Sequence, residues 1–147
     1  MSFLLRNAPQ VLLSAEEIIK EFRDLVNRSF QREELDISYD QWIVISVISK
    51  KQGITQIQIA ERTRKEPASI SRILKLLEKK EIIEKVSAKG NKRAKRIYLT
   101  PKGDDTLRRA TRLFNMIAKD GFKGVYDQEV NLFVRILDKV QQNFKND

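Results

Sequence analysis

The sequence predicts a mainly α fold with one small β-hairpin, arranged as a central lobe between long N- and C-terminal helices. Three observations predict it. Apolar residues recur at helical spacing along most of the 147 residues, the pattern of amphipathic helices. Ser or Thr precedes Glu or Gln by three positions at Ser14–Glu17, Ser38–Gln41 and Thr55–Gln58, a spacing that satisfies free amides at a helix start. The apolar period then changes to two on either side of Gly90-Asn91, a turn-forming pair.

The elements follow in order. A long helix is expected from Ser14 to near Leu35, with Ile18, Phe22, Leu25, Val26, Ser29 and Phe30 on one stripe. A second opens at Ser38 and carries Trp42, Ile45, Val47 and Ile48; it is apolar on most sides, so it belongs at the centre of the core. Gly53 is expected to end it as a left-handed cap. A short third helix begins at Thr55. Pro67 opens the fourth, at the position where the missing N–H costs nothing. Ile70, Leu74 and Leu77 form the buried stripe of that helix, joined by Ile73 and Leu76, which leaves Ala68, Ser69, Ser71, Arg72 and Lys75 outside. Ile82–Val86 and Lys95–Leu99 read as strands joined by a basic loop, Ser87–Ala94. Thr100-Pro101 opens a fifth helix that Gly121 and Gly124 break, and Asp127 caps a last one bearing Val130, Phe133, Ile136, Leu137, Val140 and Phe144.

Composition excludes several classes of function. At 41% hydrophobic and 33% charged residues the chain suits a folded, helix-rich protein of one domain. It holds no apolar run near 18 residues, so no membrane span is expected. Arg6 and Pro9 split the apolar pairs of the first residues, unlike a signal peptide, so a cytoplasmic location is expected. Without Cys there is no disulfide, thiolate metal site or thiol sensor, and without His the commonest metal ligand and general base are missing. No metal, cofactor or catalytic residue is expected. The adjacent pair Asp104-Asp105 falls in the first turn of a helix, where acids are favoured electrostatically.

Charge is the most directed signal. Between Arg62 and Lys102 stand fourteen Lys and Arg against four Glu, a net +10 in a chain whose total is +9. Such a block is the footprint of a polyanion, with nucleic acid the first candidate. The order of helix, short helix, turn, helix and basic hairpin is that of a winged helix-turn-helix. An α-helix fits the DNA major groove, and a basic hairpin can reach the adjoining minor groove.

Four segments carry a resemblance to the MarR family of bacterial transcription regulators: DQWIVISVI at Asp40–Ile48, TQIQIAERT at Thr55–Thr63, ASISRILKLLEKKEII at Ala68–Ile83 and NKRAKRIYLTPKG at Asn91–Gly103. The flanking helices resemble the family in placement too. The resemblance implies a homodimer on double-stranded DNA, most often a repressor, with interlocked terminal helices and recognition helices on the halves of a pseudo-palindrome. It divides the chain into an N-terminal arm and dimerisation helix at 1–35, a winged helix-turn-helix lobe at 36–100 and C-terminal dimerisation helices at 101–147. Thr55, Gln56, Ala68, Ser69, Ser71, Arg72, Lys75, Lys89, Asn91, Lys92, Arg93 and Lys95 are the expected DNA-binding residues, with Arg93 in the minor groove and phosphate contacts around Arg62–Lys65. Phe22, Arg23, Phe30, Tyr39 and Trp42 are candidates for binding a small aromatic or acidic effector, although packing explains each of them as well.

Two positions depart from the family pattern. Asn91 stands where the family usually has Asp, which puts the bracing of the wing in question. Glu81 stands where it usually has Gly, at a cost of up to about 1 kcal/mol if the backbone there is left-handed. The competing reading of the basic lobe is a winged-helix module for RNA or a protein partner, without a specific operator.

Overall fold

The computed structural model describes residues 3–146. Its elements are α1 (Phe3–Arg32), α2 (Tyr39–Lys50), α3 (Gln56–Thr63), α4 (Pro67–Lys79), β1 (Ile83–Ala88), β2 (Asn91–Leu99), α5 (Pro101–Gly121) and α6 (Asp127–Lys145). This is the expected winged helix-turn-helix with flanking helices. The chain divides into two compact units between Ile117 and Ala118.

In the first unit, local chemistry fixes most helix starts. The Ser38 hydroxyl accepts from the Gln41 N–H at 3.2 Å and the Gln41 side chain accepts from the Ser38 N–H, a complete capping box for α2. Thr55 and Gln58 repeat it for α3. Pro67 is the first residue of α4. The Thr100 hydroxyl accepts from the Gly103 N–H at 3.0 Å and so caps α5, where Pro101 follows.

The end of α4 answers the question posed by Glu81. Its φ is +59°, in the left-handed region. The Ile82 N–H donates to the Leu77 carbonyl and the Glu81 N–H to the Glu78 carbonyl, both at 2.9 Å. These are the two bonds of a Schellman motif, completed by the apolar pair Leu77 and Ile82, both buried. Glu81 therefore holds a position that glycine would occupy without strain. Glu34 (φ +56°) ends α1 in the same way, with the Leu35 N–H donating to the Phe30 carbonyl.

Ile70, Leu74 and Leu77 are wholly buried, as expected of α4. They meet Val44, Ile45 and Ile48 of α2, Ile59 of α3, Ile83 of β1 and Ile97 and Leu99 of β2 in one core, which Val26 and Phe30 of α1 and Ala110 of α5 close. Each buried Val, Leu, Ile or Phe among them contributes about 1.5–3 kcal/mol of transfer free energy. β1 and β2 pair antiparallel from Ile83↔Leu99 to Ser87↔Lys95. An isolated bridge between Ile54 and Ile97 ties the base of the hairpin to the segment after α2.

Several expected boundaries need correction. α1 starts at Phe3, not Ser14, and Pro9 lies within it, although an interior proline removes one helical hydrogen bond and crowds the carbonyl four residues before it. Ser14 is mid-helix, its hydroxyl 3.5 Å from the Gln10 amide. α2 ends with Lys51 as its cap, and Gly53, left-handed at φ +82°, instead turns the chain so that its N–H donates to the Ile97 carbonyl at 2.9 Å. Leu76 is 48% exposed rather than part of the α4 stripe, since it lies about a third of a turn from that stripe. The strands run further than expected and leave a turn of only Lys89 and Gly90.

The second unit contains α6. Its N-cap is Tyr126 rather than Asp127, and the Glu129 carboxylate accepts from the Tyr126 N–H at 2.8 Å. No residue of α6 is buried. Leu132, Phe133, Val134, Ile136, Leu137 and Phe144 are each about half exposed. In the first unit α1 likewise exposes Val11, Leu12, Leu13, Ile18, Ile19 and Leu25. Among the described residues no helix is long and apolar enough to cross a membrane.

Candidate nucleic-acid interface

The sequence of α4 sorts its side chains to opposite sides. At 100° per residue, Ala68, Arg72 and Lys75 share a stripe about half a turn from Ile70, Leu74 and Leu77. The buried stripe anchors the helix on α2 and β1, and Ala68, Arg72 and Lys75 are exposed. Ser69 and Ser71 flank that outer stripe and are half-buried. Arg72 reaches back along the helix, its guanidinium donating to the Ser69 hydroxyl at 3.3 Å. Ala68 and the two serines keep the first turns of this face low, so the arginine and lysine stand above it. Thr55 and Gln56 are half-buried at the start of α3, where the Thr55 hydroxyl is taken up by the cap.

The hairpin presents its charges differently. Register changes between Ser87, which pairs with Lys95, and Ala88, which pairs with Asn91. Lys92, Arg93 and Ala94 thus form a bulge on β2. The Asn91 side-chain oxygen accepts from the Arg93 N–H at 3.0 Å, an Asx turn that fixes the backbone of the bulge. The acid normally found here is thus replaced by an amide that braces the same loop through its backbone. Lys89, Asn91, Lys92, Arg93 and Lys95 are all exposed. At the base, the Arg96 guanidinium donates to the Gly53 carbonyl at 3.2 Å and the Leu99 N–H to the Gln52 side chain at 2.9 Å.

Other cations of the basic block are committed to the fold. Lys80 donates to the Asp36 carbonyl at 2.7 Å and pairs with its carboxylate at 3.2 Å. Lys85 pairs with Glu78 at 3.3 Å, and Lys102 donates to the Lys80 carbonyl at 2.8 Å. These three are surface braces, not free charge.

The candidate effector residues gather around an aromatic cluster. Trp42 stacks on Phe114 with ring centroids 4.0 Å apart, and Phe22 meets Phe114 edge-on at 5.0 Å. Tyr39 lies 6.1 Å from Trp42 and 6.3 Å from Phe22. The Trp42 indole donates to the Thr111 hydroxyl at 3.1 Å. Phe30 is apart from these rings, wholly inside the core. Arg23 lies over the Tyr39 ring at 4.8 Å and pairs with Asp40. Phe114 of α5 joins this cluster from a helix far away in the sequence, so helical periodicity alone does not show the contact. In the sequence Asp40 carries no signal beyond that of an ordinary first-turn acid. Burial pushes its carboxyl up, but the hydrogen bond and charge of Lys65 and the charge of Arg23 outweigh this and hold it below its usual value.

A helix-turn-helix with a polar, basic outer face on its second helix, followed by a basic hairpin, defines the class of winged-helix DNA-binding proteins. The sequence model of the MarR family matches residues 35–94, which span α2 to the hairpin bulge. Over those residues the chain is similar to the MarR family, and its fold is a winged helix. Its fold is similar to that of the transcriptional regulator SlyA, with a TM-score of 0.83 and 24% identity over 92% of this chain and 94% of that one. A Listeria monocytogenes protein described as a MarR-family transcriptional regulator and solved with 26mer DNA gives 0.80 and 27%, over 92% and 89%. MepR of S. aureus, solved as a DNA complex, gives 0.81 and 22%, over 89% and 96%.

Proposed function

We propose that the protein is a dimeric, sequence-specific transcription regulator of the cytoplasm, a repressor that a small aromatic or acidic ligand releases from a pseudo-palindromic operator. The observation that carries the reading is the two-sided sorting of α4. Its inner stripe is locked into the core, while Ala68, Arg72 and Lys75 are exposed, and the hairpin that follows bears exposed Lys89, Lys92 and Arg93 at its tip. Arg72 and Lys75 would meet base edges and phosphates in the major groove, and Arg93 would enter the minor groove, where narrow A·T tracts attract arginine. The DNA complexes named for two similar structures support the partner.

The dimer is supported by the apolar residues that the chain leaves uncovered, on α1 and, separately, on α6; apolar patches of this extent mark interfaces. Two-fold symmetry would then present two α4 helices to half-sites about one DNA turn apart. A ligand that binds one spacing of these helices better than the other changes DNA affinity by that difference alone, without chemistry. Selecting bound duplexes from a random pool tests the function. One sequence should be strongly preferred over bulk DNA. Arg72→Ala and Arg93→Ala should each lower affinity for it by about tenfold to a hundredfold, or ~1–3 kcal/mol, with unchanged melting. Wild-type affinity in both variants would remove the reading surface from the proposal, and a monomer by light scattering at micromolar concentration would remove the dimer.

A further inference from the structure

Asp40, in the first turn of α2, gathers two cations from different elements. Arg23 of α1 donates from Nη1 to both carboxylate oxygens, at 3.0 and 2.9 Å. Lys65 donates from Nζ to Oδ1 at 2.6 Å. Arg23 is held a second time by the Tyr39 ring beneath its guanidinium, and the Tyr39 N–H donates to the Asn27 side chain at 2.8 Å. The carboxylate is therefore seated on a fixed support from α1 and α2.

Lys65 belongs to the turn that delivers the chain into α4. The rest of that turn is weakly fixed. Arg64 is left-handed at φ +54° without being glycine. Glu66 is the N-cap of α4 and makes no side-chain capping bond, although such a bond ordinarily contributes about 1 kcal/mol. The anchor of this turn is the Lys65 ammonium, whose side chain is 21% exposed. Two residues later Pro67 starts the helix, and Ala68, Ser69, Ser71 and Arg72 follow at once.

We propose that Arg23, Asp40 and Lys65 form a positioning clamp for α4, in which Asp40 fixes the entry of the DNA-reading helix through Lys65 and thereby withholds Lys65 from the phosphate backbone. The proposal rests on the operator-reading function above and assigns Lys65 a role opposite to the phosphate contact that its place in the run Arg62–Lys65 implies. The two roles differ in sign. If Asp40 positions the helix, neutralising it weakens DNA binding. If Lys65 instead binds phosphate, neutralising Asp40 frees the ammonium and strengthens binding.

The test is fluorescence anisotropy on the duplex that the wild-type protein selects, between about 50 and 200 mM salt, with Asp40→Asn, Lys65→Met and the double variant. Each single variant should bind about tenfold more weakly, and the double variant no worse than the weaker single, because both remove one link. The dependence of log affinity on log salt should be the same in Lys65→Met as in the wild type, since no phosphate contact is lost. Unchanged or tighter binding by Asp40→Asn overturns the clamp, as does a salt slope lowered by about 0.9 in Lys65→Met, the signature of one lost phosphate contact. Should Asp40→Asn prove unfolded by circular dichroism, the Lys65→Met slope decides alone. Should the wild type select no duplex, the operator reading fails. The clamp is then judged by amide hydrogen exchange: faster exchange in the first turns of α4 in Lys65→Met supports it, and unchanged exchange overturns it.

Discussion

Replacing Gly103 with alanine should destabilise the protein by about 2 kcal/mol, although alanine is the better helix former. Gly103 lies in the first turn of α5, where its N–H donates to the Thr100 hydroxyl. A β-carbon added there would fall well inside contact distance of the Ile82 carbonyl oxygen and 3.1 Å from the carbonyl carbon. Ordinary C···O contacts are about 3.3 Å or more, so helix and carbonyl must separate by something on the order of 1 Å. The carbonyl cannot swing aside freely, because it accepts from the Thr100 N–H at 3.1 Å and the Thr100 hydroxyl lies 3.2 Å from it. Overpacking of this kind costs about 1–3 kcal/mol; the gain in helix propensity, up to about 1 kcal/mol, offsets only part of it. Chemical denaturation at fixed protein concentration measures the loss, and a fall in melting temperature of roughly 5–8 °C should accompany it. An unchanged or raised melting temperature would refute the argument that Ile82 and α5 are locked in register.

Glu81→Gly should act in the opposite direction, raising stability by about 0.5–1 kcal/mol, because glycine adopts the left-handed conformation without the side-chain clash; the same denaturation assay reads it, and a loss would contradict the Schellman assignment. Asn91→Ala removes the acceptor of the Asx turn and should weaken operator binding severalfold with no change in melting, measured by gel shift, whereas Asn91→Asp keeps the turn. Asp40 gives a pH signature. Its folded-state pKa is depressed, so its contribution to stability is present above the unfolded value of about 3.9 and fades as pH falls through the lower folded value. The stability gap between wild type and Asp40→Asn should accordingly be constant above about pH 5 and close on acidification below pH 4.

Much of the lobe was legible because short-range rules decided it. The pairs Ser38/Gln41 and Thr55/Gln58, Pro67 and Thr100-Pro101 set helix starts within a turn of sequence, and the spacing of Ile70, Leu74 and Leu77 fixed the inner face of α4. The same spacing, read as an angle, would have shown Leu76 to be exposed. The start of α1 is not legible at Ser14–Glu17, because capping-box spacing also arises by chance inside a helix, where Ser14 lies. The full length of the strands is hidden because the Lys- and Arg-rich residues next to Gly90-Asn91 look like loop, yet residues of an exposed hairpin need no burial to pair. Nothing local could reveal the contact of Asp40 with Lys65, 25 positions away, or the seat of Trp42 on Phe114. Such partners are chosen by packing of the whole unit.

The hairpin is stiff and compliant in different places, and the difference governs what it can sense. Its root is riveted by the Ile54–Ile97 bridge, the Gln52 contact with Leu99 and the Arg96 contact with Gly53. Its tip departs from the ladder for three residues and is tied down by one amide of Asn91. Arg93 is thus carried on a tip with far fewer ties than the root that supports it. On the proposed operator-reading function, a probe built this way would respond to the width of a groove more than to the identity of any base in it, leaving sequence to α4.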